Sequence, residues 1–462
     1  MHSIPPLKDP SLLIGRAFIN GETTSALSGE IFDVHDPATG TLVGTCPDMG
    51  SEDVLRAIAV TDSAFLTFRR FTGRERATLL RNWYQLVIDN LDDLATIITW
   101  ENGKPLNDVK SEVTYAANFL AWFSEEAPRI YGNTISTSTA SNRVSIWKEP
   151  IGVCGLITPW NFPAAMTARK MVPAIAAGCT VVAKSPGESP FTSNALAELS
   201  RRAGIPKGVI NIVSSLQHTV EVGKVLTTDP RIKKTSFTGS TAVGKILMQQ
   251  AASTLKRVSF ELGGNAPFIV FDDCDIEAAV VGAVMCKFRS SGKTCVCANR
   301  IYVQRGFYDQ FATQFTNKVR QLKVGAGFNN VNQGPLIHNR AVSKVHRHVR
   351  DAQEKGARVL VGGERIASLG PNFYAITVLS GVTKDMQITQ EETFGPVAGL
   401  SIFDTEKEVL ALSNDTYVGL AGYFYSNDIS RIYRVAEALQ IGMIGVNAGI
   451  ISDVVAPFGG VK

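Results

Sequence analysis

Charge is scarce in this chain, and apolar runs of membrane-spanning length are missing. Asp, Glu, Lys and Arg make up only 19% of its 462 residues, and the formal net charge is +4. No Lys/Arg block resembles a nucleic-acid arm, and Arg201-Arg202 reads as ordinary helix surface, so charge gives no nucleic-acid role. The stretch Met171 to Ala183 is interrupted by Pro173, Gly178 and Thr180, which excludes a bilayer span there. The opening Met1-His2-Ser3-Ile4-Pro5-Pro6 lacks the basic start and apolar core of a signal peptide, and the Arg-rich character of a transit peptide. Seven cysteines, an odd number over a long chain, do not make a secreted disulfide framework. Internal repeats and low-complexity tracts are absent as well. The expectation is a cytoplasmic protein with no membrane and no nucleic-acid partner.

Hydrophobic residues reach 45%, and the length exceeds what one core supports, so two or more domains are expected. Before about residue 130 a short β-ribbon precedes a helical layer. Leu79, Leu80, Trp83, Val87 and Leu91 fall at helical spacing, and Tyr115, Phe119, Trp122 and Phe123 form a second stripe. Both stripes read as packed helix faces. Residues 131–149 turn rich in Ser, Thr and Asn and then alternate, which suits an extended arm. Beyond Pro150 short β-rich runs alternate with helical segments, predicting a parallel sheet with helices on its faces; a second α/β region follows from about Glu261 to Leu439.

The chemistry centres on Cys295, set among Gly, Ser and Thr in Ser290-Ser291-Gly292-Lys293-Thr294-Cys295, and on Glu261 in Glu261-Leu262-Gly263-Gly264. A thiol opposite a carboxylate can add to a carbonyl, leave from a thioester, and have water activated for that cleavage. Their separation in sequence excludes one local helix, so the fold must bring them together. A strand, a Gly turn and a helix start appear in Ser236 to Gly244, a form that favours an anion at the helix end. The spacing is not the usual dinucleotide fingerprint, and Ile246 stands where a P-loop needs a hydroxyl; Ser240 as a simple N-cap explains the run equally well. Lys184 ends a strand, where it is either a solvated cation or a donor to ribose and phosphate oxygens.

Taken in order, several motifs resemble the aldehyde dehydrogenase superfamily. They are Thr158-Pro159-Trp160-Asn161-Phe162-Pro163, the Lys184 turn, Phe237-Thr238-Gly239-Ser240-x-x-Val243-Gly244 and Glu261-Leu262-Gly263-Gly264-Asn265. Gly292-x-Thr294-Cys295, Glu392-Thr393-Phe394-Gly395-Pro396 and Pro457-Phe458-Gly459-Gly460-x-Lys462 follow. The resemblance spans nearly the whole chain. It implies Cys295 as nucleophile, Glu261 as general base, and an oxyanion hole of the Asn161 amide and the Cys295 N–H. It places Thr158, Pro159, Trp160, Lys184, Gly187, Gly239, Ser240, Val243, Glu392 and Phe394 around a nicotinamide cofactor, and it implies no metal. Within the superfamily the chain looks closest to succinate-semialdehyde dehydrogenases, through Phe162 to Lys170, Lys287-Phe288-Arg289, Cys295 to Arg300 and Gly449 to Ser452. In that subgroup the positions of Arg169, Arg289 and Ser452 bind the distal carboxylate of the aldehyde, and Cys297 forms a reversible disulfide with Cys295. Glutarate semialdehyde, an uncharged aldehyde, or an inactive truncated paralogue are the alternatives.

The fold so implied is α/β with two domains and an oligomerisation arm. A cofactor-binding domain takes residues 1–130 and 150–260, a catalytic domain 261–439, and the arm 131–149 with 440–462. A homodimer or homotetramer is expected if the arm is complete. Three departures stand out. Lys293 replaces the usual Gln and puts a cation close to the thiol in sequence, favouring the thiolate if its head group reaches the sulfur and having no such effect if it points to solvent. Gly187 replaces the Glu that NAD-preferring relatives place against the ribose, which admits NADP beside NAD and slightly favours it. The sequence stops at Lys462 where the family continues with a further strand, so the arm is expected to be truncated.

Overall fold

Two seven-stranded sheets organise the molecule, and residues 5–462 are described in the computed structural model. Four residues of the N-terminal opening read above, 1–4, lie outside the described residues. In the first sheet Arg257–Glu261, Ile232–Thr238, Val153–Ile157, Thr180–Lys184 and Ile210–Val213 run parallel in that spatial order. The three central strands, Val153–Ile157, Thr180–Lys184 and Ile210–Val213, are mostly apolar, as strands covered by helices on both faces are; Thr180–Lys184 is buried at every position. An antiparallel hairpin, Ala17–Ile19 with Glu22–Thr24, completes the far edge. Its two-residue turn is Asn20-Gly21, with φ of 57° and 74°. Asn-Gly is the pair that tolerates left-handed backbone at both positions of such a turn.

The second sheet has the order Arg358–Val361, Thr377–Ser380, Val397–Phe403, Ala298–Gln304, Ala266–Val270, Ala421–Tyr425, Met443–Val446. Only its first pair is antiparallel. The last strand corrects the expected boundary at residue 440. Met443–Val446 pairs with Ala421–Tyr425 and so belongs to this sheet, not to an arm. The residues after it also pack inward: the Val461 N–H donates to the Gly419 carbonyl, and Phe458 lies over Arg169. The arm itself, Asn133–Ile135 with Val144–Ile146, is an exposed two-stranded ribbon paired only with itself.

Among the described residues four α-helices, Ser51–Phe68, Gly73–Asp89, Leu91–Asn102 and Leu106–Glu126, precede the ribbon. Gly73–Asp89 starts at a reciprocal cap, with Thr72 Oγ1 accepting from the Glu75 N–H and the Glu75 carboxylate from the Thr72 N–H. It buries Leu80, Trp83 and Val87 as the periodicity predicts. A fully buried ion pair joins Lys104 to Glu112. Lys104 also donates to the Asn161 carbonyl (2.7 Å), and Glu112 accepts from the Ala164 N–H (3.0 Å). The helical layer thereby fixes the loop at residues 158–162 and the first turn of Pro163–Ala176. Each ion of the pair has hydrogen-bonding partners, which is what makes a buried charge tolerable.

Candidate active site

Cys295 sits just beyond a strained bend. Ser290, Ser291 and Gly292 are all left-handed, with φ of 51°, 59° and 71°. Two successive non-glycine residues in that region persist only when their surroundings hold them. The Ser290 N–H donates to Asp108 (3.0 Å), the Ser291 hydroxyl to the Gly334 carbonyl (3.1 Å), and Lys293 Nζ to the Pro335 carbonyl (3.0 Å). At Gly292 a Cβ would fall 2.3 Å from the Gly395 carbonyl oxygen, so only glycine fits. Lys293 is completely buried and its head group is spent on this tether; burial pushes its ammonium down to about 7. Of the two directions open to it, toward the sulfur or toward solvent, the head group takes neither and is turned to the 334–335 backbone.

A cavity of ≈ 360 Å³ opens beside Cys295, lined by Pro159, Trp160, Asn161, Gly239, Ser240, Glu392 and Phe394 among others. Its size lies in the range of small-molecule sites. Strand ends supply much of it, as expected where parallel strands give way to helices. Trp160 packs edge-on to Phe394 at 5.6 Å, and Phe394 holds φ of 53°. Asn161 Nδ2 donates to the Lys293 carbonyl (3.0 Å), and its Oδ1 is buried without a partner. Glu392 accepts from the Gly264 N–H (3.1 Å), while desolvation pushes its carboxyl up to about 7. Ser240 is the N-cap of Thr241–Ala252, accepting from the Val243 N–H (3.4 Å).

Not every expected cofactor residue reaches this cavity. Thr158 is buried against Lys184, its hydroxyl and N–H both donating to the Lys184 carbonyl. Gly187 is buried beneath Leu216, and Val243 lies on the exposed side of its helix. Lys184 is no solvated strand end: it is buried and donates to the carbonyls of Ser185 (3.1 Å) and Ser215 (3.0 Å), with burial lowering its ammonium to about 8.

Glu261 ends the edge strand of the first sheet and faces a neighbouring cavity of ≈ 510 Å³, shared with Arg169, Lys170, Tyr115 and Phe458. Its Oε2 is buried with no hydrogen-bond partner. Burial raises its carboxyl above the ordinary range, and Lys170 and then Arg169 oppose the rise. Lys170 donates to the Ser236 hydroxyl (2.9 Å); burial brings its ammonium down to about 7, against the pull of Glu261 and, more weakly, of Cys295. Burial pushes the Cys295 thiol up to about 12, and the Arg169 guanidinium is the first charge working in the opposite direction. Cys295, Glu261, Lys170 and Arg169 thus form one electrostatic cluster, although thiol and carboxylate open onto separate cavities.

Arg169 has no carboxylate partner among the described residues. Its Nη2 donates to the Tyr115 hydroxyl (2.8 Å), its guanidinium stacks 3.9 Å from the Phe458 ring centroid, and its Nε is buried without a partner. Arg289 and Ser452 line a third cavity of ≈ 480 Å³ together with Tyr115, and the Arg289 guanidinium lies 5.5 Å from the Phe162 ring centroid. Neither arginine is a surface ion-pair partner. Cys297 is buried, its thiol 3.5 Å from the Gly292 carbonyl oxygen and 3.9 Å from Lys287 Nζ; all seven cysteines are free. Among the described residues no group of His, Cys, Asp and Glu is placed to hold a metal ion, and no helix is long and apolar enough to cross a membrane.

Tyr115, Lys170 and Phe458 were not singled out as site residues from the sequence. Lys170 and Phe458 stood inside recognised motifs, whereas Tyr115 was absorbed into an apolar helix stripe.

A thiol on the segment leading into the second sheet and a carboxylate at the end of an edge strand of the first, close enough to act on one another, suit covalent carbonyl chemistry. Residues 23–462 match the model of the aldehyde dehydrogenase family, and the chain belongs to that family. It is 52% identical over 448 residues to succinate-semialdehyde dehydrogenase [NADP(+)] 1 of Schizosaccharomyces pombe, covering 97% of this chain and 90% of that one. It is 51% identical to a glutarate-semialdehyde dehydrogenase of Pseudomonas putida over 99% of this chain and 94% of that one. Among solved structures, succinate-semialdehyde dehydrogenase from Burkholderia pseudomallei superposes with a TM-score of 0.97 at 52% identity, covering 99% of this chain and 95% of that one. The enzyme is accordingly an aldehyde dehydrogenase.

Proposed function

We propose that the protein oxidises succinate semialdehyde to succinate with NADP, and with NAD less well. The observation that carries this reading is Arg169, a half-buried guanidinium without a carboxylate partner among the described residues that shares a wall with Glu261 and whose charge favours the Cys295 thiolate against burial. A planar fork left open in this way suits a carboxylate at the far end of the substrate. Arg289 and Ser452 supply further donors, and Tyr115 bridges the two groups.

In the mechanism so proposed the Cys295 sulfur, as thiolate, adds to the aldehyde carbon. The resulting oxyanion is held by the Asn161 amide, which must exchange its bond to the Lys293 carbonyl for one to the substrate, and by the Cys295 N–H. The residues around the ≈ 360 Å³ cavity fit a nicotinamide: Thr238 Oγ1 is buried there without a partner, Trp160 and Phe394 give apolar faces, and Glu392 supplies a carboxylate. When bound, that cofactor supplies the hydride acceptor through which the aldehyde carbon reaches the acid level. Glu261 then takes a proton from the water that cleaves the thioester, releasing succinate and the Cys295 thiolate. Its unpaired Oε2 and its raised carboxyl suit a base poised nearer neutrality. Gly187, where a carboxylate would repel a 2′-phosphate, supports the preference for NADP, as does the name of the S. pombe relative.

The test is purified protein assayed with succinate semialdehyde, glutarate semialdehyde and butanal, each with NADP and NAD. We expect kcat/KM for the semialdehydes to exceed that for butanal by about 10- to 100-fold, from charge-assisted hydrogen bonds to the carboxylate. Succinate and glutarate semialdehydes, one methylene apart, are expected to differ by no more than about 200-fold. Equal rates on butanal would remove the carboxylate from the account.

A pH profile gives a second expectation. Burial keeps the Cys295 thiol and the Glu261 carboxyl protonated to higher pH than usual, and both act deprotonated. The profile of kcat/KM for the free enzyme therefore rises with pH from 6 to 9, by up to about tenfold per unit where one thiolate limits. A profile flat or falling over that range would contradict the assignment.

The exposed ribbon, with Ile135, Val144, Ile146 and Trp147 at its surface, supports a homodimer or homotetramer, to be measured by light scattering. Seven unpaired cysteines support a reducing compartment such as the cytoplasm.

A further inference from the structure

We infer that Tyr115 is a specificity residue of the carboxylate site, its hydroxyl proton donated to the substrate while its oxygen holds Arg169 in place. This rests on the proposed carboxylate substrate and deepens it. Tyr115 belongs to Leu106–Glu126, the helix that also carries Asp108 and Glu112, and it is half-buried where Ala116 and Ala117 beside it are fully enclosed. It is the side chain common to the cavity of Glu261 and Arg169 and to the cavity of Arg289 and Ser452. Arg169 Nη2 donates to its hydroxyl oxygen at 2.8 Å, and the guanidinium stands 5.7 Å from its ring centroid.

A phenol has one O–H donor and two acceptor lone pairs. The guanidinium has no acceptor, so in the Arg169–Tyr115 bond the phenol must accept, which leaves its proton unused. No other hydrogen bond of that hydroxyl is found among the described residues. A phenol polarised by a cation on its lone pair is a better donor. A carboxylate is acceptor-only and has room for several donors, so Arg169, Tyr115, Arg289 and Ser452 can converge on one group without two of them competing to accept. An uncharged aldehyde offers no such acceptor and gains nothing from the phenol. Edge contact with Phe119, at 5.0 Å between ring centroids, fixes the ring without using the hydroxyl.

Tyr115→Phe keeps the ring and removes only the oxygen. The expected result is a KM for succinate semialdehyde raised about tenfold, kcat within twofold, and kcat/KM for butanal within twofold of the parent enzyme. An unchanged KM, or equal losses on both aldehydes, would overturn the inference, the second because it reports a packing role. Arg169→Met and Arg289→Met, assayed alongside, separate the two levels. If neither arginine variant alters the preference for the charged aldehyde, the carboxylate reading itself fails. If they erase the preference and Tyr115→Phe preserves it, only the role of Tyr115 is lost.

Discussion

Cys295→Ala is expected to abolish oxidation of every aldehyde, with kcat/KM falling about 10⁴-fold or more, while cofactor binding stays near that of the parent. Removing a covalent nucleophile deletes the step on which all later ones depend, and losses of this order follow even when the binding site survives. The survival is itself predictable. Trp160, Glu392 and Phe394 line the cavity from other segments of the chain, and the bend before the nucleophile is held by backbone and side-chain bonds of Ser290, Ser291 and Lys293, none of which uses the thiol. Quenching of tryptophan fluorescence on titration with NADP checks binding, and steady-state cofactor absorbance checks turnover. A variant retaining a tenth of the parent rate would mean that another group carries the chemistry. Cys297 is a poor substitute. It is buried, its thiol lies on the Gly292 carbonyl, and burial keeps that thiol protonated to higher pH than usual.

Glu261→Gln is expected to divide the reaction rather than stop it. Steady-state turnover should fall about 10²- to 10⁴-fold, the range for loss of a positioned general base. The first turnover should persist as a burst of reduced cofactor close to one per active site, because Cys295 still adds to the aldehyde. The amide is nearly isosteric and removes a carboxylate whose Oε2 has no hydrogen bond to lose. Lys170 loses the charge that most opposes its loss of a proton, so its ammonium should titrate lower still in this variant. Rapid-mixing absorbance separates burst from steady state. Loss of the burst together with turnover would assign Glu261 to thiol activation instead of hydrolysis.

The strand–helix alternation after Pro150 was legible because strands covered on both faces read as short apolar, β-rich runs, and Val153–Ile157, Thr180–Lys184 and Ile210–Val213 lie at the centre of the first sheet. Edge elements were harder. Arg257–Glu261 is partly exposed and carries Arg and Glu, so it lacks the apolar signature, and Met443–Val446 fell beyond the expected boundary although it pairs fully with Ala421–Tyr425. Among site residues, Cys295, Glu261 and Asn161 could be named because unusual chemistry stood in ordered motifs. Tyr115 could not. A helix face turned toward a cavity has the same periodicity as one turned toward a core. The Lys293 head group was likewise open from sequence, since the Pro335 carbonyl that takes it lies 42 residues away.

If an acyl group passes through the Cys295 sulfur and needs Glu261 for its release, it must accumulate on the sulfur when Glu261 is replaced. Intact-protein and peptide mass spectrometry of Glu261→Gln, quenched in acid after mixing with succinate semialdehyde and NADP, tests this directly. One succinyl group per chain is expected, on the peptide bearing Cys295 and removable by hydroxylamine. An unmodified Cys295 peptide after a measured burst of NADPH would contradict it.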